Sequence, residues 1–221
     1  MARWEPNARE RLVRAAVDLF TEQGYDATTV TQIADRAGGL TKTTFFRHFP
    51  DKREVLFAGQ ETHTRLLAEA LAAAPPDATP LTAVAAALDA LAGSFDDDRR
   101  ELAAKLMVLI ADNAELHERS VFKHAILAAA IADGLRERGV PDRTAALAAD
   151  MGMLAFDEAF ARWAAPAAPA APAASAAPTA PTAPTAPAAP TVPAEPTDRH
   201  SLVEHTRQAL AELRDAAAAL G

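Results

Sequence analysis

The sequence predicts an all-α protein, and three observations carry that expectation. Apolar residues recur at helical spacing through nearly every patterned segment, no segment sustains two-residue alternation, and the breaks fall on glycine, proline or a capping residue. With 221 residues, half of them hydrophobic, the chain is long enough to bury one or two cores.

In chain order, Asn7 is placed to cap a first helix, with Glu10 three residues on completing a capping box. Leu12, Ala15, Ala16, Leu19 and Phe20 form its apolar stripe, and Gly24 ends it. A second helix starts at Thr29, carries Val30, Ile33, Ala34 and Ala37, and stops at Gly38 and Gly39. A third starts near Thr41, carries Phe45, Phe46 and Phe49, and stops before Pro50. Asp51 is expected to cap a long fourth helix that runs past Leu56 and Phe57 toward Ala74, where Pro75 and Pro76 end it.

Longer helices follow near 81–95, 98–111, 113–138 and 142–164, separated by the Asp96–Asp98 run, by Asn113 and by the Gly139-Val140-Pro141 turn. The Asp96–Arg100 run reads as a solvated helix start. The helix over 142–164 is apolar on two faces, one with Leu147, Met151, Leu154 and Ala155, the other with Met153, Phe156, Phe160 and Trp163. A helix of that kind has two partner surfaces, the second being another layer or another subunit. From 164 to 197 proline recurs every few residues among alanine and threonine, the composition of an extended linker without a core. After Asp198, Leu202, Thr206, Ala209, Leu210, Leu213, Ala217 and Leu220 trace a final amphipathic helix, expected to dock back onto the body.

The chain carries no cysteine, so disulfides and thiolate metal sites are excluded, which fits a reducing cytosol. The first ten residues have no apolar h-region, so no signal peptide is expected, and no proline-free apolar run reaches the ~18 residues of a membrane span. Net charge is −8, unfavourable for a nucleic-acid partner taken alone, yet Met1–Pro50 holds seven bases against six acids and the acidic excess lies beyond it.

Taken together, the second and third helices, joined by a glycine turn and preceded by an amphipathic helix, have the layout of a helix-turn-helix DNA-binding unit. Ile33, Ala34, Ala37, Phe45 and Phe49 would fix the angle between them, while Thr41, Lys42, Thr43 and Thr44 lie at the end of the third helix that meets base edges in a major groove. The segment TTVTQIADRAGGLTKTTFFRHFPDKREVLF resembles the signature of the tetracycline-repressor (TetR) family of bacterial regulators, the likeness covering roughly 8–59.

The resemblance implies an N-terminal DNA-binding domain over 7–68 with its recognition helix at about 41–48, a helical ligand-binding core over 69–163, and a dimerisation helix over 198–221. The 164–197 tract then becomes an enlarged loop between two dimerisation helices. It further implies phosphate contacts for Thr29 and Lys52, base contacts for Lys42, Thr43 and Thr44, a base or phosphate for Thr31, and backbone contacts for Arg47 and His48. Two positions depart from the family pattern. Gly39 is an extra residue in the turn, to be absorbed there or to tilt the recognition helix; Phe46 stands where the family usually has tyrosine, and packing is its expected role, with an apolar contact to sugar or thymine as the other.

The expected function is a ligand-responsive repressor, cytoplasmic, that binds a palindromic double-stranded DNA operator as a homodimer. Phe95, Met107, Ile110, Phe122, Met151, Met153 and Phe156 are the candidate lining of a pocket for a small, largely apolar effector, each equally an ordinary core residue. The competing reading is a helical ligand-binding or structural protein that has lost sequence-specific DNA binding. Catalysis is not expected: the six histidines show no HExxH spacing, and neither a G-x-S-x-G turn nor a glycine-rich phosphate loop occurs, so no cofactor or metal is expected either.

Overall fold

A computed structural model describes residues 8–165 and 201–219. Asn7, most of the 164–197 tract and Leu220 lie outside the described residues. The elements are α1 (Ala8–Gln23), α2 (Val30–Arg36), α3 (Lys42–His48), α4 (Gln60–Ala73), α5 (Pro80–Ala92), α6 (Arg100–Asp112), α7 (Ala114–Glu137), α8 (Asp142–Ala164) and α9 (Leu202–Ala219), with 3₁₀ turns at Arg53–Phe57 and Asp97–Arg99. No strand occurs among the described residues, and no helix among them is long and apolar enough to cross a membrane.

Two apolar cores organise these elements. In the N-terminal one, Leu12, Ala16, Val17 and Phe20 of α1 meet Ile33 of α2, Phe45 of α3, and Phe49, Val55 and Leu56 beyond it. Leu116 at the start of α7 is buried in the same cluster, and Leu102, Leu106, Leu109 and Ile110 of α6 pack on its edge. The second core joins Leu67 and Leu71 of α4 to α5, α7, α8 and α9. Small residues let its helices approach closely. A Cβ added at Gly152 of α8 would lie 2.5 Å from Val84 Cγ1 of α5, and one at Gly134 of α7 would lie 2.7 Å from Leu71 Cδ1 of α4.

The fourth helix is not continuous as the sequence suggested. Asp51 Oδ1 accepts the Glu54 N–H at 3.0 Å, so it does cap a helical start, but that start is a single 3₁₀ turn, and the α-helix begins anew at Gln60. Gly59 lies at the division, where the His63 ring comes within 2.6 Å of the position a Cβ would take. His63 in turn stacks on Phe95, ring centroids 5.1 Å apart, and burial, with a smaller effect of Arg99, lowers its pKa. The division coincides with the change of core: Phe57 and Ala58 edge the first, whereas Leu67 and Leu71 belong to the second.

The two faces of α8 have different fates. Met153, Phe156 and Trp163 are buried, and the Trp163 indole N–H donates to Asp97 at 3.1 Å, so the Asp96–Arg100 run is tied to the core at one carboxylate. On the opposite face Leu147 and Leu154 are 56% and 51% exposed and Met151 is half-buried, whereas Ala155 turns inward. The last helix docks on the body, burying Leu202, Thr206, Ala209 and Leu210 against α8 and α5. Arg207 grips Asp89 with two nitrogens, and Arg162 pairs with Glu212. Ala217 is exposed, so the apolar stripe stops short of the helix end.

Candidate nucleic-acid interface

Residues 24–49 build a short scaffold in which each turn of backbone is satisfied locally. The α1 helix ends where the Gly24 N–H donates to Phe20 O at φ +88°, a conformation open to glycine. Thr29 then caps α2 in a reciprocal box, its Oγ1 accepting the Gln32 N–H while Gln32 Oε1 accepts the Thr29 N–H at 2.8 Å. The Thr-x-x-Gln spacing is the sequence signal for Gln32, which the sequence reading had passed over. The α2 helix closes through two successive left-handed residues, Gly38 at φ +98° and Gly39 at φ +71°. Both N–H groups donate to Asp35 O, and the Leu40 N–H reaches Ala34 O at 2.9 Å. These bonds close the turn locally around both glycines. Thr41 caps α3, accepting the Thr44 N–H at 3.1 Å.

The packing of α3 sorts its side chains. Phe45 and Phe49 are fully buried and hold the helix to α1 and α2. Lys42, Thr43, Phe46 and Arg47 are exposed together. Phe46 is 46% exposed, so the packing role expected for it is overturned: Phe45 already occupies the core, and the next residue along a helix turns away from it. Its ring stands edge-on to Phe45 with centroids 5.5 Å apart, and Lys42 Nζ lies 5.8 Å from its centroid. Thr29 and Thr31 are exposed at the start of α2.

Three of the candidate residues are partly withdrawn. The Thr44 hydroxyl lies 3.0 Å from that of Thr41 within the cap. His48 is half-buried beside Phe49. Lys52, for which the resemblance implies a phosphate, donates to the carbonyls of Tyr25 and Thr28 at 2.7 and 3.0 Å and sits 4.0 Å from the Tyr25 ring centroid. Two of its three N–H donors therefore brace the α1–α2 connection. The same burial pushes the Tyr25 hydroxyl up to about 12.

A feature absent from the sequence reading joins this unit to the body. Glu54, in the turn after α3, accepts hydrogen bonds from Arg119 and from Lys123 Nζ, the latter at 2.8 Å, and Gln60 donates to Lys123 O at 3.2 Å. Burial acts to raise the Glu54 carboxyl, but the bonds and charges of Arg119 and Lys123 outweigh it and hold the carboxyl below its ordinary value. Partners 65 and 69 positions away leave no local pattern to read.

The seven candidate pocket residues do not converge. Phe95, Met153 and Phe156 belong to the body core, with Phe95 and Phe156 centroids 6.1 Å apart; Ile110 edges the N-terminal core; Met151 lies on the outer side of α8; Met107 and Phe122 are exposed, Phe122 by 54%. Two clefts lie elsewhere, at the junction of the two units. One of about 700 Å³ runs between the end of α1 and α6, lined by Phe20, Tyr25, Val108 and Asn113. The other, of about 600 Å³, lies beside Arg9, Phe49, Glu54, Gln60 and Lys123. Neither is lined by any of the seven.

Together these features define a helix-turn-helix unit set on a larger helical body. Residues 12–58 match the family described as bacterial regulatory proteins, tetR family. Two curated relatives are similar to part of the chain. The HTH-type transcriptional regulator TcmR of Streptomyces glaucescens is 39% identical over 93 residues, which is 42% of this chain and 41% of that protein. The uncharacterized HTH-type transcriptional regulator YerO of Bacillus subtilis is 31% identical over 75 residues, 31% of this chain and 26% of that protein. The chain therefore spans less than half the length of either. Over a longer span the fold is similar to that of Salmonella enterica GusR, with a TM-score of 0.50 at 17% identity, covering 95% of this chain and 92% of that one.

Proposed function

We propose that this protein is a DNA-binding transcriptional regulator that acts as a homodimer on a palindromic operator. The observation that carries the reading is the sorted third helix, with Phe45 and the capping Phe49 buried and Lys42, Thr43, Phe46 and Arg47 presented together, within a segment that matches the tetR family. Lys42 suits guanine O6 and N7, Thr43 suits a base edge through its hydroxyl or methyl, and Arg47, with Thr29 and Thr31 on α2, suits backbone or neighbouring base contacts. Lys52 acts mainly as a brace, with one donor left for a phosphate. The DNA-binding domain, drawn as 7–68 from sequence, is best divided from the body at Ala58–Gly59.

Homodimerisation is supported by the outer face of α8, where Leu147, Met151 and Leu154 form an apolar stripe beside α9. Two such faces would pair four helices and set two recognition helices about one duplex turn apart. Effector response is proposed through the junction. A small, largely apolar molecule that favours one arrangement of α6 and α7 would move the Glu54 attachment and so the spacing of the two α3 helices, and only a difference in affinity between the two arrangements can drive this.

The test is selection of bound fragments from random duplex DNA with the purified protein at a fixed salt concentration. One palindromic motif is the expected result. Salt-sensitive binding without a motif would leave a helical protein that has kept a repressor's shape without its use. With the motif in hand, Lys42→Ala is expected to weaken specific binding more than nonspecific binding. Leu154→Lys is expected to yield monomers in analytical ultracentrifugation.

A further inference from the structure

Phe46 is an anomaly that the proposed reading leaves unexplained. On a seven-residue helix whose other phenylalanine, Phe45, is buried, a large apolar ring faces solvent among Lys42, Thr43 and Arg47. A phenyl group has no donor for a phosphate, so it adds nothing to the electrostatic, salt-dependent attraction of DNA. The ring is also held in position, with the buried Phe45 ring edge-on beneath it at 82° and the Lys42 ammonium 5.8 Å from its centroid one turn back. In the major groove of B-DNA the apolar group on offer is the C5-methyl of thymine.

We propose that Phe46 is a specificity-determining residue that seats a thymine methyl in each half-site, beside the base pair that Lys42 contacts. The inference rests on the regulator reading above and names one base within its operator. Positions four apart on a helix face have Cβ atoms about 5–6 Å apart, and successive base pairs are about 3.4 Å apart. The Phe46 thymine therefore falls within one or two base pairs of the Lys42 contact. Burial of one methyl stabilises by about 0.8 kcal/mol, which corresponds to about fourfold in affinity per half-site.

The experiment uses the full chain and the operator found by selection. Each thymine of a half-site is replaced in turn by deoxyuridine, which removes the methyl and leaves the pairing unchanged, and affinity is measured at constant salt for the native protein, Phe46→Ala and Phe46→Leu. The expected result is one thymine position at which methyl removal weakens native binding about fourfold. Phe46→Ala should be indifferent to that replacement while retaining an unchanged salt slope, and Phe46→Leu should keep part of the sensitivity. Uniform indifference of the native protein to deoxyuridine, or equal sensitivity in Phe46→Ala, would overturn the proposal while leaving the regulator reading intact. Failure to select any operator would instead remove the regulator reading, and this inference with it.

Discussion

The two cores solve the same problem with different proportions of large and small residues. The N-terminal one is built on rings and branched chains, with Phe20, Tyr25, Ile33, Phe45 and Phe49 all buried, because α2 and α3 have seven residues each and need a large payload per turn to stay in place. The body has helices of up to 24 residues and relies on Ala83, Ala87, Ala145, Ala148, Ala149, Ala155 and Ala159, with Gly134 and Gly152 at the closest approaches. Short helices are held by what their side chains fill, long ones by how near their backbones can come. The first core should therefore fail by loss of volume and the second by gain of it.

Phe45→Ala should give the largest effect. Removing a fully buried ring is expected to cost about 3–5 kcal/mol. Urea unfolding followed by Trp163 fluorescence in a Trp4→Phe background, Trp163 belonging to the body, should then separate from far-UV circular dichroism as the N-terminal unit melts first; a single coincident transition would mean that the two cores are one cooperative unit. The converse substitution, Gly152→Ala, pushes a methyl toward Val84, whose branched side chain has little freedom to yield, and is expected to cost about 1–3 kcal/mol. A neutral or stabilising result would show that α5 and α8 can part without penalty. A smaller loss, about 1 kcal/mol, is expected for Thr29→Ala through the capping box of α2, measured by urea midpoint.

The mildest perturbation is acid, acting on the link between the cores. The Glu54 carboxyl is held below its ordinary value when folded, so its stabilising contribution is present above about pH 4.5 and is lost as pH falls through the lowered folded value. His63 acts in a higher range. Its folded pKa is lowered, so the unfolded chain takes up the proton first and stability starts to fall as pH drops below the ordinary value of 6.5. Glu54→Gln should flatten the lower part of a stability-against-pH curve and His63→Gln the upper part. Identical curves for both variants and the native protein would remove these two groups from the acid response.

What could be read from sequence follows the range of the forces involved. The helix starts at Thr29 and Thr41, the break at Asn113 and the turns at Gly24, Gly38 and Gly39 were legible because each is settled by atoms within a few residues. The division at Gly59 was not, since five residues, 53–57, are too few for the period of a 3₁₀ turn to be told from that of a continued helix, and the His63 ring that crowds the glycine belongs to the next turn. Phe46 was expected to pack because an aromatic ring is more often buried than exposed, whereas on α3 the core position is filled by Phe45. The seven pocket candidates lie apart for a different reason: helical spacing shows that Met107 or Phe122 shares a stripe with its own helix, and carries nothing about which other helix faces it.

The docking of α9 has a consequence for dilution. Its joint to the body is intramolecular, formed by Leu202, Ala209 and Leu210 and two exposed ion pairs at Asp89 and Glu212. A segment joined covalently to its own docking surface meets it at a local concentration fixed by the chain, independent of how much protein is in the tube. Any pairing of two chains through α8 obeys mass action instead. In a dimer of the proposed kind, dilution would part the two chains while each keeps its last helix in place, so that the released species is a finished monomer able to pair again without refolding.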